Sequence, residues 1–298
     1  MSTPFRGSAS GLTPQRLRGR GYLRLSRDLY VLLPAEPSPG TVEPDLRTRV
    51  EAIRLVLPDA VPCLTTGGAL LRLPVDDDGL LHIARHRLAP RSEREGVQVH
   101  RIPVEEDERH DLDGLPVADG PRTFVDLSCR LDLEGLVALG DVVLRRWGAG
   151  ALEAAVDRRP RRPGLPLARR ALPLLDARAG SPAESRARLR LHEAGFADLR
   201  HGVVVRDVNG GWLSEPDLAD ERARVAVQHD GAVHFSGGRR RREHDVQRDE
   251  LTRQMDWQVV VATARDDRAP HLLVGKVADA YRRAARLWGA HVLPPHLR

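Results

Sequence analysis

The stretch "DRRPRRPGLPLARRALPLLDARAGSP", residues 157 to 182, constrains this chain more than any other. Three prolines fall within the seven residues from 160 to 166. Each fixes φ and removes a backbone donor, so regular structure is interrupted here. A chain of 298 residues has enough length on either side of the break to bury two cores. The expected organisation is an N-terminal α+β domain over 1–156, an Arg/Pro-rich linker over 157–180 in which "LARRALPLLDAR" can form a short helix, and a C-terminal domain over 181–298.

The apolar share is 41%, and no run approaches the roughly 18 uninterrupted apolar residues that span a bilayer. The opening "MSTPFRGSASGLTPQ" has no apolar signal core, so nothing directs export. The expectation is a soluble, cytoplasmic protein without a membrane partner. Cys63 and Cys129 lie far apart and neither has a CxxC partner, which excludes a zinc ribbon and argues against a disulfide framework. Both are expected to be small core residues. Of the 47 basic residues one is a lysine, Lys276, so any mechanism that needs a lysine has a single candidate. Residues 1 to 30 hold six arginines against Asp28, an excess equal to the net charge of +5 for the whole chain. Clustered basic charge fits an anionic partner such as nucleic acid. A GC-rich genome that writes arginine wherever it can fits the composition equally well.

In the first domain, Thr13 is placed to cap a short helix with Pro14 at its first position, and the alternating "YLRLSRDLYVLL" follows as a β-ribbon, together a remnant of a winged helix. Helices are expected over 44–57 and 65–72, strands in "LLHIARHRL" and "GVQVHRIPV", and a long helical stretch from "GPRTFVDL" to the glycines at 148 and 150. Within it Arg122, Thr123 and Asp126 read as a structural buttress.

In the second domain, Ser181 and Glu184 form a capping box that opens a helix ending at Gly195. Strands are expected over 201–207, 212–219 and 223–230, then a helix over 243–255, the strand "WQVVVAT", and a last helix over 270–287. This is an α/β layer arrangement. Pairing the two central strands about a turn at Glu221–Arg224 sets Asp217 opposite Gln228. Alternation then puts Asp217, Gln228 and Asp230 on one face and Val225, Val227 and His229 on the other. Two carboxylates and an amide oxygen at one sheet edge suit a hard divalent cation, Mg²⁺ or Mn²⁺, in preference to zinc. Such an ion supports phosphodiester hydrolysis.

The segments "SPAES", "EPDLAD", "VAVQHDGAVH" and "HDVQRDELTRQMDWQVVVAT" resemble, in order and spacing, the very-short-patch-repair endonuclease-like domain of actinobacterial proteins, a branch of the PD-(D/E)XK nuclease superfamily. "RLRGRGYLRLSRDLYV" and "GPRTFVDL" are similar to the AbiEi-type antitoxin region that often precedes it. The resemblance implies a restriction-endonuclease-like α-β-β-β-α-β core, with Glu184 on the first helix, Asp217 as principal metal ligand, Gln228 where the pattern usually has Glu, Asp230-Gly231 and His234 matching the DG and following His, and Asp245 and Arg248 matching the D-x-x-R of the next helix. It departs from that pattern at Gln228, a neutral oxygen donor, and at the position of the nuclease lysine, held by Asp230; members with the same DG arrangement also lack that lysine. On this reading Glu184, Asp217, Asp230 and His234 are catalytic, His234 being a candidate base or phosphate contact. Arg239, Arg240, Arg241, Arg242 and Arg248 would contact phosphates.

Each residue also has a structural reading. Glu184 completes a cap, Asp217 after Pro216 starts a turn, and Asp230-Gly231 is a strong turn dipeptide. His234 suits a surface, "GGRRRRE" a solvated loop, and Asp245 with Arg248 a helical pair. Trp257 is expected in the core. Two functions follow. One is a Mg²⁺-dependent DNA endonuclease weakened by Gln228. The other is a nuclease-fold DNA-binding protein without activity, or an antitoxin-like regulator with a toxin as partner.

Overall fold

The computed structural model describes residues 3–19, 21–33, 44–159, 161–229, 250, 252 and 254–298. The chain is mixed α/β and divides into two compact units, Met1–Arg130 with Trp147–Ala168, and Leu131–Arg146 with Arg169–Arg298. Among the described residues no helix is long and apolar enough to cross a membrane.

The first unit opens on three short antiparallel strands, β1 (Phe5–Arg6), β2 (Tyr22–Ser26) and β3 (Leu29–Leu32), in the order β1-β3-β2. Helix α1 (Pro14–Leu17) is capped by Thr13, whose hydroxyl accepts the Arg16 N–H. Asp28 takes a positive φ of 64° in the tight turn between β2 and β3. Its carboxylate accepts from the Ser8 N–H and hydroxyl, both at 2.7 Å, and pairs with Arg6. The one acidic residue of the basic N-terminal segment therefore pins a turn.

Helix α2 (Leu46–Arg54), capped by Asp45, leads to β4 (Val61–Pro62), α3 (Leu64–Leu70), β5 (Leu81–Ala84) and β6 (Val97–His100). These strands form a sheet in which β4 and β5 are antiparallel and β5 and β6 parallel. The hairpin β7 (Arg109–Leu112) and β8 (Leu115–Ala118) then runs into α4 (Gly120–Leu127), capped by Asp119. The long helical stretch divides into α4, α5 (Leu133–Trp147) and α6 (Ala149–Asp157), with Gly148 at a φ of 82° between the last two.

The Arg/Pro-rich stretch is packed, not loose. Arg159 pairs with Glu108, Arg162 lies 2.8 Å from Asp126, and Leu165 is 2% exposed at the start of α7 (Leu165–Ala171). Cys63 is buried, as expected, but Cys129 is exposed, because it lies beyond the end of α4 where the apolar face has run out. Both thiols are free.

In the second unit α8 (Pro182–Glu193) begins at Ser181, whose hydroxyl accepts the Glu184 N–H, and ends at Gly195 with a φ of 94°. The strand expected over 212–219 is split. Pro216 offers no N–H to a ladder, and the chain leaves the two-stranded sheet of β9 (Val205–Arg206) and β10 (Trp212–Ser214) to join another. That second sheet has the order β11 (Leu218–Asp220), β12 (Val225–His229), β13 (Gln258–Ala262). Strands β11 and β12 are antiparallel, β12 and β13 parallel. Helices α9 (Ala264–Arg268) and α10 (Pro270–Trp288) follow.

Alternation assigns the faces of this sheet. Leu218, Val225, Val227, Val260 and Ala262 pack in one core with Ala187 and Leu191 of α8 and Val277 and Tyr281 of α10. Ala219 and Ala226 pack in another with Val205 and Trp257. Burial of both faces explains the near-continuous apolar runs in β12 and β13.

Candidate functional site

The site begins at a tight turn. Residues 221–224 connect β11 to β12, with Arg224 at a φ of 51° and Asp220 accepting the Ala223 N–H at 3.1 Å. Tyr281 donates its hydroxyl to the other Asp220 oxygen at 2.8 Å, fastening the hairpin to α10. The pairing Leu218↔Val227, Ala219↔Ala226, Asp220↔Val225 follows and ends there; Asp217 lies in a bend just before β11, and Gln228 is one residue beyond the last pair on β12. Gln228 shares the sheet face of Ala226, while His229 shares the face of Val225 and Val227.

Asp217 is half-buried and holds the end of the hairpin by both its main chain and its side chain. Its Oδ2 accepts the His229 N–H at 2.5 Å, and its carbonyl oxygen is bonded by His201 Nδ1 at 2.5 Å. A carboxylate held in this way is fixed in direction before any ligand arrives, which is what a metal ligand needs from its surroundings. The His201 bond also defines a tautomer. A carbonyl only accepts, so Nδ1 carries the proton and Nε2 keeps a lone pair. His201 is 2% exposed, burial pushes its imidazole pKa down, and Nε2 is buried without a hydrogen-bond partner.

Glu184 fulfils one half of the expected capping box, its N–H bound by the Ser181 hydroxyl, while its side chain reaches past the N-cap residue. Its Oε2 accepts the Gly180 N–H at 2.8 Å, just before the helix that its own N–H helps to cap. Its charge is nonetheless felt at His201, together with those of Asp176 and Arg188. Arg188 in turn pairs at 3.0 Å with Asp141, a residue 1% exposed on α5 that also accepts the Asp176 N–H at 2.7 Å. Burial pushes the Asp141 carboxyl pKa up, opposed by that N–H and by Arg188.

The carboxyl ends of β12 and β13 hold two more pairs. His229 Nε2 lies 3.2 Å from either oxygen of Asp267, and Lys276 Nζ lies 2.7 Å from Asp266. Lys276 also donates to the Val261 carbonyl at 3.3 Å, and Val261 is the register partner of Gln228. The single lysine is thus one strand away from Gln228, although it lies 48 positions further along the chain.

Among the residues expected at the site, Asp217, Gln228 and Glu184 are described; Asp217 is bound by His201 and by the N–H of His229, the residue after Gln228. Asp230, His234, Arg239, Arg240, Arg241, Arg242, Asp245 and Arg248 lie outside the described residues. Sequence reasoning missed His201, Arg188 and Asp141. Nothing in the sequence points to Asp141, and Lys276, although the single lysine candidate, is not placed beside the hairpin by any local pattern. His201 had a signal, since it opens an expected strand beside the acidic hairpin.

Among the described residues no three His, Cys, Asp or Glu side chains gather as a metal cage. Of the expected ligands, Asp217 and Gln228 are described, and both are oxygen donors, the type that suits a hard cation.

No family model matches the chain. It is similar to an uncharacterized protein of Mycobacterium tuberculosis strain CDC 1551 and to one of strain H37Rv. Each is 27% identical to it over 252 residues, which is 81% of this chain and 89% of the relative. The matched length exceeds either compact unit, so the similarity reaches into both.

Proposed function

We propose that the C-terminal unit is a restriction-endonuclease-like module that acts on DNA by Mg²⁺- or Mn²⁺-dependent phosphodiester hydrolysis, with Gln228 lowering its affinity for the metal. The observation that carries this reading is the hairpin itself: its last pair, Leu218 with Val227, leaves Asp217 and Gln228 each one residue further along at its open end, where Asp217 is bound to the His229 N–H, beside a parallel third strand. The helix before the hairpin and the order of the strands support it. Asp217, Gln228 and Asp230 would hold the ion, which when bound polarises a phosphoryl oxygen and supplies hydroxide. The chain's own contribution is orientation. The His229 N–H and His201 fix Asp217, and Lys276 brings the one ammonium of the chain to the neighbouring strand. His234 is proposed as the base, and Arg239 to Arg242 with Arg248 as contacts to the phosphate backbone.

A second reading, binding without cleavage, is favoured by one feature. Gln228 supplies a neutral oxygen where a carboxylate would add a full charge to the attraction for a dication. Nicking of supercoiled plasmid DNA distinguishes the two. The endonuclease reading predicts slow, EDTA-sensitive nicking by the native chain, loss of it in Asp217→Asn, and at least about tenfold faster nicking in Gln228→Glu, the scale on which changes at a metal site act. No metal-dependent nicking by Gln228→Glu under any divalent cation would leave only the binding reading.

A further inference from the structure

A cavity of about 390 Å³ opens in the N-terminal unit beside β6, and its lining is dominated by arginine: Arg85, Arg91, Arg94 and Arg101, with Glu93 as its one acidic side chain. Arg85 is neutralised in place. Its Nε lies 2.9 and 3.0 Å from the two oxygens of Asp59, and its Nη1 donates to the Pro90 carbonyl. The other arginines are held differently. Arg94 donates to the Arg27 carbonyl at 2.8 Å and Arg101 to the Ala89 carbonyl at 2.7 Å. A main-chain carbonyl fixes the direction of a guanidinium without cancelling its charge, so these two are oriented yet still cationic. The Arg94 Nε is moreover buried with no acceptor.

Charge and shape narrow the ligand. Four guanidiniums against Asp59 and Glu93 leave an excess of two positive charges at the cavity. A carboxylate would answer one of them. A phosphate monoester, with a charge of roughly −1.5 to −2 near neutral pH, answers both, and its oxygens match the guanidinium fork. Beside Ser92 and Gln98, the rest of the wall is apolar, with Val97 and Val99 on one face of β6 and Ala89 and Pro90 on the loop before it. A cavity of this volume falls within the range of about 300–1,000 Å³ typical of small-molecule sites and is too small for a duplex.

We propose that this pocket binds a nucleotide through its phosphate monoester, with the nucleoside body against the Val97–Val99 wall. The ligand is either a free mononucleotide or the 5′-phosphorylated end of a strand. The inference does not rest on the metal-dependent reading, because the pocket and the hairpin site belong to different units.

The test is equilibrium binding to the full chain in EDTA, which silences metal-dependent cleavage. The probes are thymidine 5′-monophosphate, thymidine, inorganic phosphate, and a short oligonucleotide with a 5′-phosphate or a 5′-hydroxyl. The monophosphate is expected to bind at least about tenfold more tightly than thymidine, and Arg101→Met and Arg91→Ala, both at exposed positions, each to weaken it by about tenfold with an unchanged thermal midpoint. Asp217→Asn is expected to leave this binding unchanged whether or not the chain cleaves DNA. A preference for the 5′-phosphorylated oligonucleotide identifies a strand end as the ligand; its absence, with mononucleotide binding kept, identifies a free nucleotide. Equal binding of thymidine and its monophosphate, inorganic phosphate binding as tightly as the nucleotide, or indifference to both arginine substitutions overturns the proposal.

Discussion

Arg122 keeps its charge at 1% exposure because three acceptors reach it, one on its own helix and two from the segment before β7. Asp126 one turn along α4 takes its Nε at 2.8 Å, while Glu108 and the Pro103 carbonyl take Nη1 at 2.7 and 3.0 Å. Burial works against the charged form, but Asp126 and Glu108 outweigh it and hold the guanidinium protonated. Arg122→Met would strand those carboxylates, with Arg162 and Arg159 offering only partial replacement. The expected loss is about 3 kcal/mol of unfolding free energy by chemical denaturation. A second prediction at this scale concerns His100, which stacks on His82 and shares a 2.8 Å nitrogen–nitrogen contact with it. Burial, then the neighbouring His82, push its pKa down to about 4. The unfolded chain thus binds the proton more readily than the folded one. The stability this represents is present above the ordinary histidine pKa of about 6.5 and is lost as pH falls from there to about 4. Thermal melts should show the midpoint falling across that window, and the fall should be shallower in His100→Gln. An unchanged slope would show that His100 is not the group responsible. The buttress of Arg122 and Asp126 was legible because a pair at i and i+4 on a helix must meet. Glu108 was not, since nothing local ties it to α4.

The hairpin of β11 and β12 shows what an element adds. Its register was readable because strand alternation has a period of two and a turn of fixed length leaves one pairing for each residue. The split of the strand expected over 212–219 was also written in the sequence, in Pro216. The position of Lys276 was not readable, because it depends on α10 packing back along β13, a long-range arrangement that no local period encodes. Tyr281 makes the hairpin's attachment testable. Its hydroxyl lies in an apolar core and donates to Asp220, and burial, then Asp220, push its pKa up. Tyr281→Phe keeps the ring stacked on Phe196 but leaves one Asp220 oxygen without its donor. The expected cost is about 1–3 kcal/mol, measured by urea unfolding. A cost near zero would mean that the hairpin is held by its apolar faces alone.

At the scale of the whole chain, the two compact units are not consecutive segments. Residues 131–146 belong with the C-terminal strands, whereas 147–168 return to the N-terminal unit. The join is specific. Glu134 meets Arg190 through both carboxylate oxygens at 2.8 and 2.7 Å, Asp141 meets Arg188, and Arg145 donates to the Ala179 carbonyl. Proline spacing marked where regular structure breaks but carried no sign of this crossing. A fragment of 181–298 would lose every one of these partners, so it is expected to melt at a lower temperature than the full chain's C-terminal transition and to lose any nicking activity.

The central claim is that Asp217 and Gln228 form one cation site, and calorimetric titration of Mg²⁺ and Mn²⁺ into the full chain tests it without requiring turnover. The account predicts weak binding by the native chain, at least about tenfold tighter binding by Gln228→Glu, and none by Asp217→Asn. Identical isotherms for all three would contradict it.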